Sequence, residues 1–332
     1  MAANPKPPVG PGLVLEQYHV YHAEAQVLSG NLEHPIEQPI EHYGRAVLEN
    51  TRREGLITQS VGESSVEGLI TFNSGHTRVS GTQLKNKKDI WGNDHSGWVT
   101  QSTAVIEGFN VVDVITADRV VAQVSTEHPM INGHVPKVTF LGSRFENLRV
   151  AGYPVQVELE LGVCGDKPEG DRPYLEDGGF LDRVQGQLNS IERDGGDLPE
   201  VLDKKYRAEI AYIDELKKRA NGGANGERNG YSKLRCTLVK SIGAIPIPGV
   251  KTFGNMIFIP GFGTVSLAEV EVGINSGHGG FSDKTRAGSP PEPSDSNYFT
   301  LNMFNMRLGC PTGGSVNGPT ANANGTNGPT IT

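Results

Sequence analysis

A glutamate and two histidines in the middle of the chain are the first residues with catalytic potential. Glu127-His128-Pro129 and His134 fall between strand-like segments, and a carboxylate beside an imidazole can orient a general base. Adjacent residues on extended chain point to opposite faces, so Glu127 and His128 need a partner from elsewhere. The competing interpretation is that these are ordinary strand and loop residues without a catalytic role. One hypothesis is therefore an enzyme of unknown class that uses these residues with carboxylates of other strands.

Both tryptophans lie within residues 89–98. Two indole rings on one loop can form a stacking platform for a sugar ring, while neighbouring polar groups bond its hydroxyls. The candidate ligand-binding residues are Trp91, Asn93, Asp94, His95 and Trp98. Alternatively, the rings fix the loop against the core, since tryptophan usually buries most of its area. The first interpretation predicts a glycan or small-molecule binding module.

An acidic loop supplies candidate metal ligands, Asp166, Glu169 and Asp171. Their spacing does not match a calcium-binding D-x-D-x-D-G loop, and Lys167 and Arg172 provide local countercharge. We therefore expect a solvated charged turn and no metal. The sequence also lacks the phosphate-loop, dinucleotide, nucleophile-elbow and H-E-x-x-H signatures, and we expect no cofactor.

The most regular pattern is a short motif that occurs three times. Its copies begin Val66-Glu67-Gly68, Ile106-Glu107-Gly108 and Phe145-Glu146-Asn147. Glycine and asparagine tolerate a left-handed backbone, so the third position predicts a turn or a bulge. The repeat predicts stacked β units whose glutamates either converge or lie exposed beside strand edges.

Composition supports a β-rich protein. The chain has 332 residues with 43 Gly and 21 Pro, an excess typical of many turns between short strands. Its net charge of -8 argues against a nucleic-acid partner. There is no apolar run long enough to span a membrane. No secretory signal is recognisable, so we expect a cytoplasmic location by default, with a surface or extracellular location as the alternative.

The remaining elements follow from local patterns. Residues 180–220 have apolar spacing typical of helices, and residues 254–272 read as a hairpin turning at Pro260-Gly261. Residues 311–332 are a low-complexity tail that we expect to be disordered in a monomer unless a neighbour holds it. The cysteines predict buried free thiols, with a Cys236–Cys310 bridge as the alternative.

Several segments resemble those of uncharacterised bacterial β-rich proteins, some of which are of a surface-anchored type. The similar segments are Ile106–Val111, Thr116–Val120, Phe145–Gly152 and Ile259–Val265. The resemblance covers about a fifth of the chain and implies a β-rich, surface-associated protein without implying any activity. This chain departs from the surface members because it has no recognisable signal or anchor.

Taken together, these patterns predict a mainly β protein, an antiparallel sandwich or barrel with a small helical insertion. A short β-solenoid of about 40-residue units is the alternative. We expect an extended segment at 1–13, one β-rich domain at 14–310 with the insertion at about 180–220, and the tail at 311–332. The leading functional hypothesis is a non-catalytic structural or self-assembling homo-oligomer, ahead of a binding module and an enzyme.

Overall fold

The computed structural model describes residues 15–34, 37–85, 88, 96–130, 135–169, 172–194, 199–220, 231–275, 296–309 and 313–331. Within these ranges, most residues lie in strands that form two large antiparallel sheets facing each other as a sandwich. The predicted antiparallel sandwich with a small helical insertion is confirmed. The solenoid alternative is wrong because the strands pair antiparallel within two large facing sheets instead of stacking as successive coils.

The elements follow one another in four groups. Sheet A begins with β1 (Leu15–Gln26), β2 (Leu28–Leu32), β3 (Gln38–Tyr43) and β4 (Ala46–Thr51). Sheet B comprises β5 (Gly55–Val61), β6 (Ser64–Val66), β7 (Ile70–Phe72), β8 (Ser74–Leu84), β9 (Gly97–Val111), β10 (Ile115–Pro129), β11 (Lys137–Thr139), β12 (Arg144–Glu146), β13 (Arg149–Val150) and β14 (Tyr153–Pro154). Next come β15 (Val157–Leu159), a 3-10 turn (Tyr174–Glu176), α1 (Gly178–Asp194) and α2 (Glu200–Ala220). The last group is β16 (Tyr231–Thr237), β17 (Val239–Ile242), β18 (Lys251–Phe253), β19 (Met256–Ile259), β20 (Gly263–Asn275), β21 (Ser296–Leu308) and β22 (Gly314–Ile331).

Sheet A runs in the order β18-β19-β20-β21-β22-β1-β4, and sheet B runs along β14-β13-β10-β9-β7-β6. In sheet B, β8 lies between β9 and β5, while β11 and β12 also pair with β10. The main core lies between the sheets. Phe109 of β9 stacks on Phe304 of β21 with ring centroids 5.3 Å apart, and Phe145 contacts the same ring.

The C-terminal segment is a central strand of sheet A. The expectation of disorder is wrong for residues 314–331, because β22 pairs with β21 on one side and with β1 and β2 on the other. Its Ala-Asn repeat alternates between an inner and an outer face. Ala321 and Ala323 are fully buried against sheet B, and Asn322 on the outer face donates to Thr300 Oγ1 at 2.7 Å. Small inner side chains let the two sheets approach closely.

The helical insertion lies where the sequence predicts it. The Asp177 carboxylate accepts from the Phe180 amide at 2.7 Å and so caps the first turn of α1. Gln187 of α1 donates to the Thr237 carbonyl at 2.9 Å, which fixes the helix against the end of β16. Cys164 and Cys236 are buried free thiols, whereas Cys310 and residues 1–13 lie outside the described ranges.

Candidate polar cleft on sheet B

The inward-facing positions shift by one residue at four neighbouring places in sheet B: within β9, within β10, at the junction of β7 and β8, and at the end of β12. At each place, two consecutive polar or small residues face outward between flanking residues that face the core. The outward pairs are Asn73-Ser74, Glu107-Gly108, Asp118-Arg119 and Glu146-Asn147. Their inner neighbours are Phe72 and Gly75, Ile106 and Phe109, Ala117 and Val120, and Phe145 and Leu148. A regular strand would turn every second residue inward, so this shift places both members of each pair on one surface.

The strand register aligns these pairs into two rows. Glu107 of β9 is paired with Ser74 on one side and with Arg119 on the other, and Arg119 is paired in turn with Glu146. The same register sets Gly108 opposite Asp118 in the adjoining row. Acidic side chains of two motif copies therefore flank the same arginine.

A left-handed backbone produces the shift at two of the four pairs. Gly108 has a φ of 63° and Asn147 has a φ of 51°, while Gly68 in the first copy has a φ of 66°. The predicted turn or bulge at the third motif position is thus confirmed in all three copies. In the first copy the motif forms the turn between β6 and β7, so Glu67 lies exposed in that turn.

The outward pairs enclose an open cleft of about 440 Å³. Its lining residues are Asn73, Glu107, Gly108, Asp118, Arg119 and Glu146. The volume lies in the ~300–1,000 Å³ range of small-molecule sites, although most such sites are more apolar. Three carboxylates and one guanidinium line the cleft, so its wall is net negative at neutral pH.

Contacts with neighbouring side chains hold Glu107 and Asp118 in place. Ser74 Oγ donates to Glu107 Oε2 at 2.8 Å, and Arg119 Nε lies 3.6 Å from Glu107 Oε1. Asn147 Nδ2 donates to Asp118 Oδ2 at 2.6 Å. These contacts orient the carboxylates yet leave lone pairs for a ligand, because each carboxylate has about four acceptor sites.

Gly108 determines the floor of the cleft. A Cβ at this position would lie 2.3 Å from Asn73 Nδ2, a separation that real atoms do not adopt. Glycine therefore lets the Asn73 amide lie across β9. The same residue satisfies the left-handed backbone that turns Glu107 and its neighbours outward.

The structure describes two of the three candidate catalytic residues, Glu127 and His128, and places them on opposite faces of β10. His128 is fully buried, and its ring lies 4.7 Å from that of His19, which stacks on Trp98. Glu127 lies on the outer face of β10, where it pairs with Lys137 of β11. The alternation expected from the sequence thus separates the two residues, and His134 lies outside the described ranges.

Of the proposed platform residues, Trp98 alone lies within the described ranges. Trp98 is 4% exposed and faces the interior, which matches the second interpretation for that ring. Trp91, Asn93, Asp94 and His95 lie outside the described ranges. For the acidic loop, no cluster of three His, Cys, Asp or Glu side chains suited to a metal occurs among the residues that the structure describes. Asp166 and Glu169 belong to that part of the chain, whereas Asp171 does not.

Comparison with models of known protein families gave a match. Residues 19–273 match the family described as "Domain of unknown function (DUF8256)". Because the match spans more than half of the chain, the protein belongs to that family. Searches of curated proteins and of solved structures gave no match. No described helix is both long enough and apolar enough to cross a membrane.

Sequence reasoning identified Glu107 and Glu146 but missed their partners in the cleft. Asn73, Asp118 and Arg119 lie outside the three motif copies, and only the register of β8, β9 and β10 brings them alongside. The sequence does contain a usable signal. In each of the four stretches, an apolar or small residue is followed by two polar or small residues and then by another apolar or small residue. That pattern interrupts the alternation expected of a strand.

Proposed function

We propose that this protein is a non-catalytic binding module whose cleft on sheet B holds a hydroxyl-rich ligand such as a glycan. The observation that carries the proposal is the shared shift at four neighbouring places in sheet B, which turns their polar pairs toward one cleft. Forming the core does not require this shift, because strands with uninterrupted inward and outward alternation of side chains would also bury one face of the sheet.

The chemistry of the lining favours sugars over apolar ligands. A hydroxyl group both donates and accepts, so a sugar with adjacent hydroxyls fits a wall of acceptors next to donors. Glu107, Asp118 and Glu146 provide the acceptors, while Arg119 and the Asn73 amide provide donors. The negative wall also favours a neutral or amino sugar over an acidic one.

A glycan array followed by titration calorimetry tests this proposal. We expect neutral or amino sugars among the hits, and we expect the double variant Glu107→Gln/Glu146→Gln to weaken binding at least about 10-fold, because charge-assisted hydrogen bonds are lost. Glu127→Gln is the matched control, since Glu127 lies on the same outer face but away from the cleft. An array without hits, or hits that bind the double variant normally, would refute the proposal.

A structural or self-assembling role is a second proposal. The order of the C-terminal segment does not support this role, because β22 is held by strands of its own sheet. What supports assembly instead is an open edge of sheet B.

A further inference from the structure

Strand β5 is an edge strand with an unusual composition. Among the described residues it pairs with β8 alone, and its sequence Gly-Leu-Ile-Thr-Gln-Ser-Val has neither charge nor proline. Natural sheet edges are usually protected by lysine, proline or a bulge, because an open edge can pair with another strand. Leu56 is 58% exposed, and Thr58, Gln59 and Ser60 are also exposed.

We infer that this edge pairs with the β5 edge of a second copy of the chain, antiparallel and centred on Thr58. A two-fold axis perpendicular to the sheet leaves the inner face of both copies on the same side. Paired residues point to the same face, and residues on one face alternate along the strand. An even-numbered residue must therefore pair with an even-numbered one, and an odd-numbered residue with an odd-numbered one. The register centred on Thr58 satisfies this rule and pairs all of residues 55–61 with 61–55.

Charges at the two ends of β5 select the same register. Arg53 precedes the strand and Glu63 follows it, and both are exposed. With Thr58 at the centre, Arg53 of each copy lies opposite Glu63 of the other. A shift by two residues in either direction would remove both pairs. The edge is thus self-complementary, as a two-fold interface requires.

The pairing joins two ten-stranded sheets into one continuous sheet. The contact is a single strand pair with two peripheral ion pairs, so it belongs to the small, transient class of interfaces. The ion pairs are exposed and screened, so raising the salt concentration weakens the dimer. This surface is separate from the polar cleft, so its pairing does not depend on the proposed ligand binding and instead rests on the proposed assembly role.

Sedimentation velocity over a range of protein concentrations tests the inference. Wild-type protein should form a dimer as its concentration rises. Thr58→Lys should weaken that dimer at least about 10-fold, because two lysines would meet at the symmetry axis. Thr58→Val, which keeps strand propensity without adding charge, is the matched control and should dimerise like the wild type.

A charge swap tests the register itself. Glu63→Arg should weaken the dimer by placing Arg53 opposite an arginine, and Arg53→Glu/Glu63→Arg should restore it. Circular dichroism checks that each variant is folded. A wild-type monomer at every concentration, a dimer indifferent to Thr58→Lys, or a double swap without rescue would each overturn the inference.

Discussion

At the scale of single residues, the left-handed backbone of Gly108 contributes to the shape of the cleft. Gly108 and Gly68 occupy the same motif position and have nearly the same φ. They differ in surroundings, because a Cβ at Gly108 would strike the Asn73 amide, whereas one at Gly68 would meet nothing within 4 Å. Comparing substitutions at Gly68 and Gly108 therefore separates two losses of stability, one from the left-handed backbone and one from the clash with Asn73.

Gly108→Ala should therefore destabilise the protein more than Gly68→Ala. Each alanine costs about 1–2 kcal/mol for the left-handed backbone, and only Gly108→Ala also displaces Asn73. Urea unfolding of both variants measures the difference. Equal losses of stability would show that Asn73 yields freely and that Gly108 does not define the cleft.

His22 of β1 gives stability a definite pH dependence. Burial lowers its folded-state pKa below the ordinary value of 6.5, and Glu24 and Glu49 only partly oppose this. Between the two pKa values the unfolded chain binds more protons than the folded one, so stability falls as pH drops below about 6.5.

The variant His22→Gln should flatten this acid-side loss in urea titrations between about pH 7 and pH 5. His76→Gln, at an exposed position on β8, is the matched control. If His22→Gln kept the full wild-type slope, burial of the imidazole would not be its cause.

At the scale of elements, β22 shows how a polar, low-complexity segment can form the centre of a sheet. Ala323 is paired with Ala23 on one side and Phe299 on the other, and all three are fully buried. The small side chains of Ala23 and Ala323 leave room for the side chains of sheet B. Removing the strand would separate β21 from β1, so we expect its packing to govern the stability of the whole sandwich.

Ala323→Leu should cost about 1–3 kcal/mol, because extra methylenes in a packed core force side chains out of their rotamers. Thr326→Leu, on the outer face of the same strand, should cost less. Thermal unfolding of the two variants makes the comparison. A tolerated Ala323→Leu would mean that the two sheets are not closely packed at β22.

Some elements were predictable from the sequence and others were not, for physical reasons. The helices and the β19–β20 hairpin follow from local periodicity and turn residues. The β22 strand was missed because its alternation uses alanine and asparagine, whose composition favours disorder. Arg119 was missed because register depends on pairing between distant strands, which a single sequence does not reveal.

At the scale of the whole molecule, the sandwich and its helical insertion enclose two thiols. Burial raises the pKa of Cys236 to about 12, with a further contribution from Glu269. Burial also raises the pKa of Cys164, and Cys236 adds to that effect. Since the thiolate is the reactive form, both residues should be inert in the folded protein.

In a Cys310→Ser background at pH 8, Cys164 and Cys236 should react with a thiol reagent about 100-fold more slowly in the native state than in urea. The absorbance of the released chromophore follows both reactions. Rapid labelling of the native protein would mean that the helical insertion opens readily from sheet A.

The claim that the cleft on sheet B is the ligand site is tested most directly by nuclear magnetic resonance of the ¹⁵N-labelled protein. A sugar selected on the array is titrated while the Arg119 Nε–H and Gly108 amide signals are followed, each assigned by substitution. We expect these two signals to shift with ligand concentration, while the Gly254 amide, between β18 and β19, stays unchanged. Shifts confined to other parts of the molecule, with Arg119 and Gly108 unmoved, would contradict it.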